Sequence, residues 1–140
     1  MKLLLDSHIY LWVADDRFTD RLSERLKQLI ASSESAVFIS IVSIWELTIK
    51  LEKHRQTFDF DERLLEVDAH FPFEILELKP EHVVALKNLD GDRENPIHRD
   101  PFDCIMLAQA MREGLTFVTH DRHCLQYAHP EMKVLDASKV

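Results

Sequence analysis

Glycine is almost missing from this chain: there are 2 in 140 residues. Gly91 and Gly114 stand far apart, so no glycine-rich loop exists to cradle a nucleotide phosphate. No Gly-x-Ser-x-Gly elbow exists either, which leaves Ser43 without the setting of a nucleophile. Two cysteines, Cys104 and Cys124, are too few for a disulfide framework and read as reduced thiols. With 5 prolines and 2 glycines, long flexible linkers are not expected, and there is no repeat or low-complexity tract. No run approaches the ~18 apolar residues of a membrane span. The opening "MKLLLDSHIYLW" is broken by Asp6 and His8 and lacks a small-residue cleavage site, so it is a poor secretory signal. A cytoplasmic protein without a membrane partner is the expectation. An excess of base is absent too. Seventeen Lys and Arg face 25 Asp and Glu, for a net charge of −8. That disfavours a broad basic face for nucleic acid. It leaves open a site where acidic residues are concentrated around metal ions.

What is present suits one domain over residues 1–140, with 46% hydrophobic and 30% charged residues. A chain this long buries roughly 70% of the surface its unfolded form exposes. Short apolar runs predict strands at "KLLL" (2–5), "AVFIS" (36–40), "FEILEL" (73–78), "LTFVTH" (115–120) and "MKVLD" (132–136). Helical spacing predicts helices at "HIYLWVAD" (8–15), at 19–32 with Thr19 or Asp20 as cap, and at 41–53. Further helices are expected at 59–70, at 79–89 with Pro80 in the first turn, from Asp100 to Glu113 with Gly114 as C-cap, and at 121–128. "DGDRENPIH" (90–98) is the one clear loop. Strands alternate with helices, which implies an α/β fold with a central parallel sheet covered on both faces.

Ligands of open parallel sheets bind beyond the carboxyl ends of the strands. Asp6 follows "KLLL", Glu46 lies early in the helix after "AVFIS", and Asp121 follows "LTFVTH". Asp100 and Asp103 open the helix that feeds that last strand. Taken singly, each reads more readily as a helix cap. "DPFD" places Asp at N-cap, Pro at N1 and Asp at N3, and "SIWE" matches a capping box of Ser43 and Glu46. Taken together, carboxylates ~5 Å apart repel by about 3 kcal/mol per pair at an effective dielectric of 20. A counter-charge is then required, and all-oxygen ligation suits Mg²⁺ or Mn²⁺. The matching chemistry is metal-assisted phosphodiester hydrolysis.

Eight histidines raise zinc as an alternative, with His120, His123 and Cys124 close to Asp121. The paired spacings of a zinc site are missing. His98 or His120 as a general base is not needed where a metal activates water. Trp45 is expected to pack in the core. Tyr10 and Trp12 suit a dimer or partner interface instead.

Four blocks, "LLLDSHIYLW" (3–12), "ISIVSIWELTIK" (39–50), "ILELKPEHVVAL" (75–86) and "HRDPFDCIMLAQAMREGLTFVTHDR" (98–122), resemble the PIN-domain family and, within it, VapC-type toxin ribonucleases. The resemblance implies a three-layer α/β/α fold and Mg²⁺- or Mn²⁺-dependent endoribonuclease activity. It also implies a homodimer, an RNA substrate and inhibition by a small cognate antitoxin, as in a type II toxin–antitoxin system. By the same likeness Asp6, Glu46, Asp103 and Asp121 are the catalytic metal ligands. Asp100 is then a supporting residue or cap, and Ser7, Ser43 and Thr119 are hydroxyls that orient carboxylates or water. Lys50 and Arg99 are candidate phosphate contacts. A catalytically inactive PIN-fold module that binds RNA or protein is the alternative. Cys104 stands where relatives often carry a basic residue, "DGDRENP" is longer and more acidic than usual, and "LEKHRQ" lacks the usual glycine.

Overall fold

Leu3, Leu4 and Leu5 are all fully buried, so the strand they form must be covered on both faces. In the computed structural model, which describes residues 1–53, 73–89, 100–126 and 132–140, this strand β1 (Lys2–Leu5) is the centre of a five-stranded sheet. The other strands are β2 (Ala36–Ser40), β3 (Glu74–Leu76), β4 (Thr116–Thr119) and β5 (Lys133–Asp136). Their order is β3-β2-β1-β4-β5, and every pairing is parallel. Helices α1 (Ser7–Ala14), α2 (Glu24–Ala31), α3 (Ile41–Lys53), α4 (Pro80–Ala85), α5 (Pro101–Glu113) and α6 (Arg122–Leu125) accompany it.

The alternation of side chains along β1 and β4 divides the core in two. Leu3, Leu5 and Val118 face one cluster with Ile9, Tyr10, Leu26 and Ile30. Leu4 and Phe117 face the other, with Met106, Leu107 and Ala110 of α5. The parallel sheet covered on both faces that the alternating pattern implies is therefore present, in the three-layer α/β/α arrangement that the resemblance implies. Among the described residues, no helix is long and apolar enough to cross a membrane.

Several boundaries differ from expectation for identifiable reasons. The helix expected from Thr19 starts at Glu24. Ser23 Oγ accepts from the Leu26 N–H (3.1 Å) and caps it, whereas Thr19 Oγ1 donates back to the Asp16 carbonyl within a 3-10 turn, Asp16–Arg21. Strand β3 spans three residues rather than 73–78. The Glu77 carbonyl accepts from Gln109 Nε2 (3.3 Å) and so leaves the ladder. The helix expected to Leu89 tightens after Ala85 into a 3-10 turn, Leu86–Asn88. The helices expected at 59–70 and the loop at 90–98 lie outside the described residues.

Two aromatic expectations are corrected. Trp45 is 57% exposed and meets Phe102 edge-on at 5.0 Å. It lies on the outer side of α3 in line with exposed Ile41 and Ile49, one turn away on either side. Tyr10 is 1% exposed and packs against Phe73 (5.7 Å), which removes it from any surface. Burial raises its phenol to about 12.

Candidate metal centre

The sheet order reverses direction between β1 and β4, because β2 and β3 extend to one side and β5 to the other. Such a switch point leaves a crevice at the carboxyl ends of the two strands. Asp6 is the first residue after β1, and Thr119 is the last residue of β4. The two side chains meet there: Thr119 Oγ1 donates to Asp6 Oδ2 at 2.6 Å. The Ser7 N–H donates to Asp6 Oδ1 at 2.7 Å, so Asp6 also opens α1. The Asp121 N–H in turn donates to Thr119 Oγ1 (3.0 Å), which fixes the hydroxyl that fixes Asp6.

Helix α5 brings the next carboxylates. Asp100 caps it, with Oδ1 accepting from the N–H groups of Phe102 (2.9 Å) and Asp103 (3.3 Å). Asp103, 7% exposed, sits one turn in and faces the sheet. Helix α3 contributes Glu46, 2% exposed. This helix follows β2 without a loop, and Ser40 Oγ accepts from the Val42 N–H (3.0 Å) at its start. The capping box expected of Ser43 and Glu46 is therefore not formed. Ser43 lies inside the helix and its hydroxyl contacts Met106 Sδ at 3.0 Å. Glu46 Oε2 pairs with Lys50 Nζ one turn on, at 2.7 Å.

Ligand atoms of Glu46, Asp100 and Asp103 lie within 4.8 Å of one another, as do those of Asp6, Asp103 and Cys124. Asp103 belongs to both groups and joins them. Asp121 falls in neither: it is half-buried, and its Oδ1 accepts from the His123 N–H as the cap of α6. Arg99 and His98 lie outside the described residues. Cys124, close to Asp121 in the sequence, is also brought beside Asp6 and Asp103. It is fully buried three residues past Asp121, on the one short turn that β4 feeds.

The electrostatics fit crowding. Burial raises the Asp6 carboxyl above its ordinary value, and the nearby Glu46 charge adds to the rise. The Thr119 and Ser7 hydrogen bonds and the charge of His8 pull the other way without cancelling it. Burial also works against the Lys50 ammonium, but the Glu46 hydrogen bond and the charges of Glu46, Asp100 and Asp103 outweigh it and raise Lys50. Burial, followed by the charges of Asp103, Asp6 and Asp121, keeps the Cys124 thiol protonated. The carboxylates are the charged donors of the group, with the Cys124 sulfur beside Asp6 and Asp103. Beside them the buried Ser7 Oγ has no hydrogen-bond partner among the described residues. Buried carboxylates and an orphaned hydroxyl at one place form a donor set that suits a divalent metal ion.

The chain matches the model of the PIN domain over residues 3–130, and it belongs to that family. Comparison with curated protein sequences gives no match. Solved structures with a similar fold include VapBC2 from Rickettsia felis bound to a promoter DNA fragment. That match has a TM-score of 0.68 at 16% identity, covering 97% of this chain and 98% of that one. DNA-bound VapBC from Salmonella typhimurium aligns at 0.64 and 18%, with the same coverage. A toxin–antitoxin complex from Klebsiella pneumoniae aligns at 0.59 and 21%, covering 93% and 94%.

Proposed function

We propose that this single domain is a Mg²⁺- or Mn²⁺-dependent endoribonuclease and the toxin of a type II toxin–antitoxin pair. The observation that carries the reading is the pair of carboxylate groups sharing Asp103 at the switch point of the sheet. Asp6, Glu46 and Asp103 would hold the cation, with Asp100 at the edge and Asp121 adding a carboxylate from the β4 side. A bound divalent cation supplies positive charge that polarises water and the phosphodiester.

The chain's own residues prepare that site. Thr119 and the Ser7 N–H hold both Asp6 oxygens, so the carboxylate is oriented before anything binds. Lys50 balances Glu46 and is a candidate phosphate contact; Arg99, the other candidate from the sequence, lies outside the described residues. Cys124 is fully buried beside Asp6 and Asp103. The products by analogy with the family carry a 5′-phosphate and a 3′-hydroxyl. By the same analogy the partner is a small antitoxin, the toxin is a homodimer, and the pair acts in the cytoplasm. The VapBC and toxin–antitoxin complexes that share the fold support the antitoxin partner.

The test is cleavage of total cellular RNA with Mn²⁺, with Mg²⁺ and with chelator, beside Asp103→Asn from the same preparation. Discrete metal-dependent fragments that the variant does not produce are expected. No cleavage in any ion by the folded, partner-free protein would move the chain to the alternative, a PIN-fold binding module.

A further inference from the structure

One wall of the cleft is built from rings rather than carboxylates. His8 and Trp12 lie one turn apart on α1, and His120 stands between Thr119 and Asp121. The Trp12 and His120 rings are 4.6 Å apart with a tilt of 46°. His8 meets His120 edge-on at 5.6 Å and Trp12 at 6.5 Å. The guanidinium of Arg21, at the end of the 3-10 turn, lies 5.6 Å from the Trp12 ring and 5.2 Å from Phe18. Both histidines and Arg21 are exposed, and Trp12 is half-buried against the core beneath. The wall adjoins the carboxylates: His120 stands between Asp121 and Thr119, whose hydroxyl donates to Asp6 at 2.6 Å, and His8 is two residues past Asp6.

We propose that this wall is the subsite for a nucleobase of single-stranded RNA next to the scissile phosphate, with His120 backed by Trp12 as the stacking platform. The proposal rests on the ribonuclease reading above. Nucleic acid presents a π-face and a phosphate in alternation, and this edge of the cleft presents rings and a cation in the same neighbourhood. The Trp12 ring packs against His120 at 4.6 Å, so a base would meet a supported ring instead of a free side chain. Arg21 supplies positive charge for a flanking phosphate where the chain as a whole carries −8. It is held by two rings, and no ion pair with it is seen among the described residues. A core-covering role explains Trp12 alone. It does not explain two exposed histidine rings drawn together over the mouth of a carboxylate site.

The experiment uses a short fluorescein-labelled oligouridylate and a set of copies in which one abasic position is moved along the strand. Binding is read by anisotropy in Ca²⁺, with the RNA checked intact on a gel, for wild type, Trp12→Ala, Trp12→Phe and His120→Ala. One abasic position should weaken wild-type binding by about tenfold, which is ~1.4 kcal/mol and within the range of one stacked base. Trp12→Ala and His120→Ala should flatten that dependence, and Trp12→Phe should restore most of it. In a Trp45→Phe background the remaining fluorescence belongs to Trp12, and RNA should quench it. If Trp12→Ala does not fold, the exposed His120→Ala decides the matter. Cleavage of RNA by a wild type whose abasic scan is flat would overturn the subsite and leave the ribonuclease standing. Unchanged RNA affinity in both alanine variants would do the same and return the wall to a protein-facing role. A wild type that neither cleaves nor binds RNA would overturn both. Binding with a stacking signature but no cleavage would keep the subsite on a binding module.

Discussion

Asp6→Asn should make the protein more stable in chelator and less responsive to metal. Oxygens of Asp6 and Asp103 lie within 4.8 Å, and at an effective dielectric near 20 two such charges repel by about 3 kcal/mol. That figure is a ceiling. Asp6 already takes up a proton more readily than usual, and asparagine keeps only part of the hydrogen bonding with Thr119 and Ser7. A net gain of about 1–2 kcal/mol remains, or roughly 3–8 °C in Tm for a chain of this size. The pH dependence has a definite sign. A carboxyl whose folded value is raised binds protons better when folded, so wild type loses its disadvantage as the pH falls through that raised value. The gap between the variant and wild type should therefore be widest near neutrality and close in mild acid. Metal should invert the order. At a Mn²⁺ concentration 100 times its Kd, wild type gains about 2.7 kcal/mol by linkage, and the variant gains far less. Thermal unfolding by circular dichroism in chelator and in Mn²⁺ measures both. A variant less stable than wild type in chelator, or equal stabilisation of the two by Mn²⁺, would refute the reasoning.

Lys50→Met leaves the buried Glu46 carboxylate without its ammonium partner and should cost about 1–2 kcal/mol in chelator, less than a fully buried pair because the Lys50 side chain is 47% exposed. Lys50 is raised, so the contribution of the pair persists across neutral pH and is lost only as the pH climbs through that raised value; denaturation curves of the two proteins at neutral and strongly alkaline pH check it. Gln109→Ala should destabilise by about 3 kcal/mol in urea, since Ser40 Oγ loses the acceptor it holds at 2.6 Å, the Glu77 carbonyl loses its donor, and a hole opens in a fully buried position. Gly114→Ala should cost about 1 kcal/mol by the same assay, because φ is 67° and nothing stands within 4 Å of the new Cβ, so the cost is backbone conformation alone.

The parallel sheet was legible because its strands are apolar on both faces: "KLLL" and "AVFIS" carry no alternation that would send one face to water. The α5 boundaries were equally plain, with Asp100 and Pro101 at one end and Gly114 at the other. The start of α2 was missed because Thr19, Asp20 and Ser23 are all acceptable caps by type. Only the position of the first amides, set by the 3-10 turn, selects Ser23. Trp45 was misplaced for a related reason. Its spacing from Ile41 and Ile49 marks one stripe of α3, but a stripe can face the core or the solvent, and the sequence carries both this one and the inward stripe of Val42 and Leu47. Tertiary neighbours decide between them. At the site, residue types and their place after strands or at a helix start singled out Asp6, Glu46 and Asp103 as candidates, and the fold brings them into two groups that share Asp103. The proximity of Cys124 and the ring wall at His120 depend on how α1 and the turn after β4 lean together, which no local pattern encodes.

Caps and ligands looked like competing readings of the same acids, and the structure shows that they are separate questions. Asp6, Asp100 and Asp121 each accept backbone N–H groups at the start of a helix. That explains why an acid stands at each position, since a carboxylate near a helix N-terminus is favoured by ~0.3–1 kcal/mol. It does not explain why the helices begin around one crevice with Asp103 and Glu46 turned into it. The repulsion between two carboxylates at these separations, about 3 kcal/mol at an effective dielectric of 20, exceeds what a cap returns. Lys50 offsets the charge of one of them, Glu46. Asp6 is held back from ionising chiefly by burial, with the Glu46 charge adding a smaller push, despite two hydrogen bonds that favour the charged form. A fold that needed these acids only as caps would relieve the strain by exchanging buried Asp6 for asparagine or serine, which cap as well. On the proposed reading, keeping the carboxylate is a cost that a divalent cation would offset, and the chelator-to-Mn²⁺ inversion predicted for Asp6→Asn measures that cost directly.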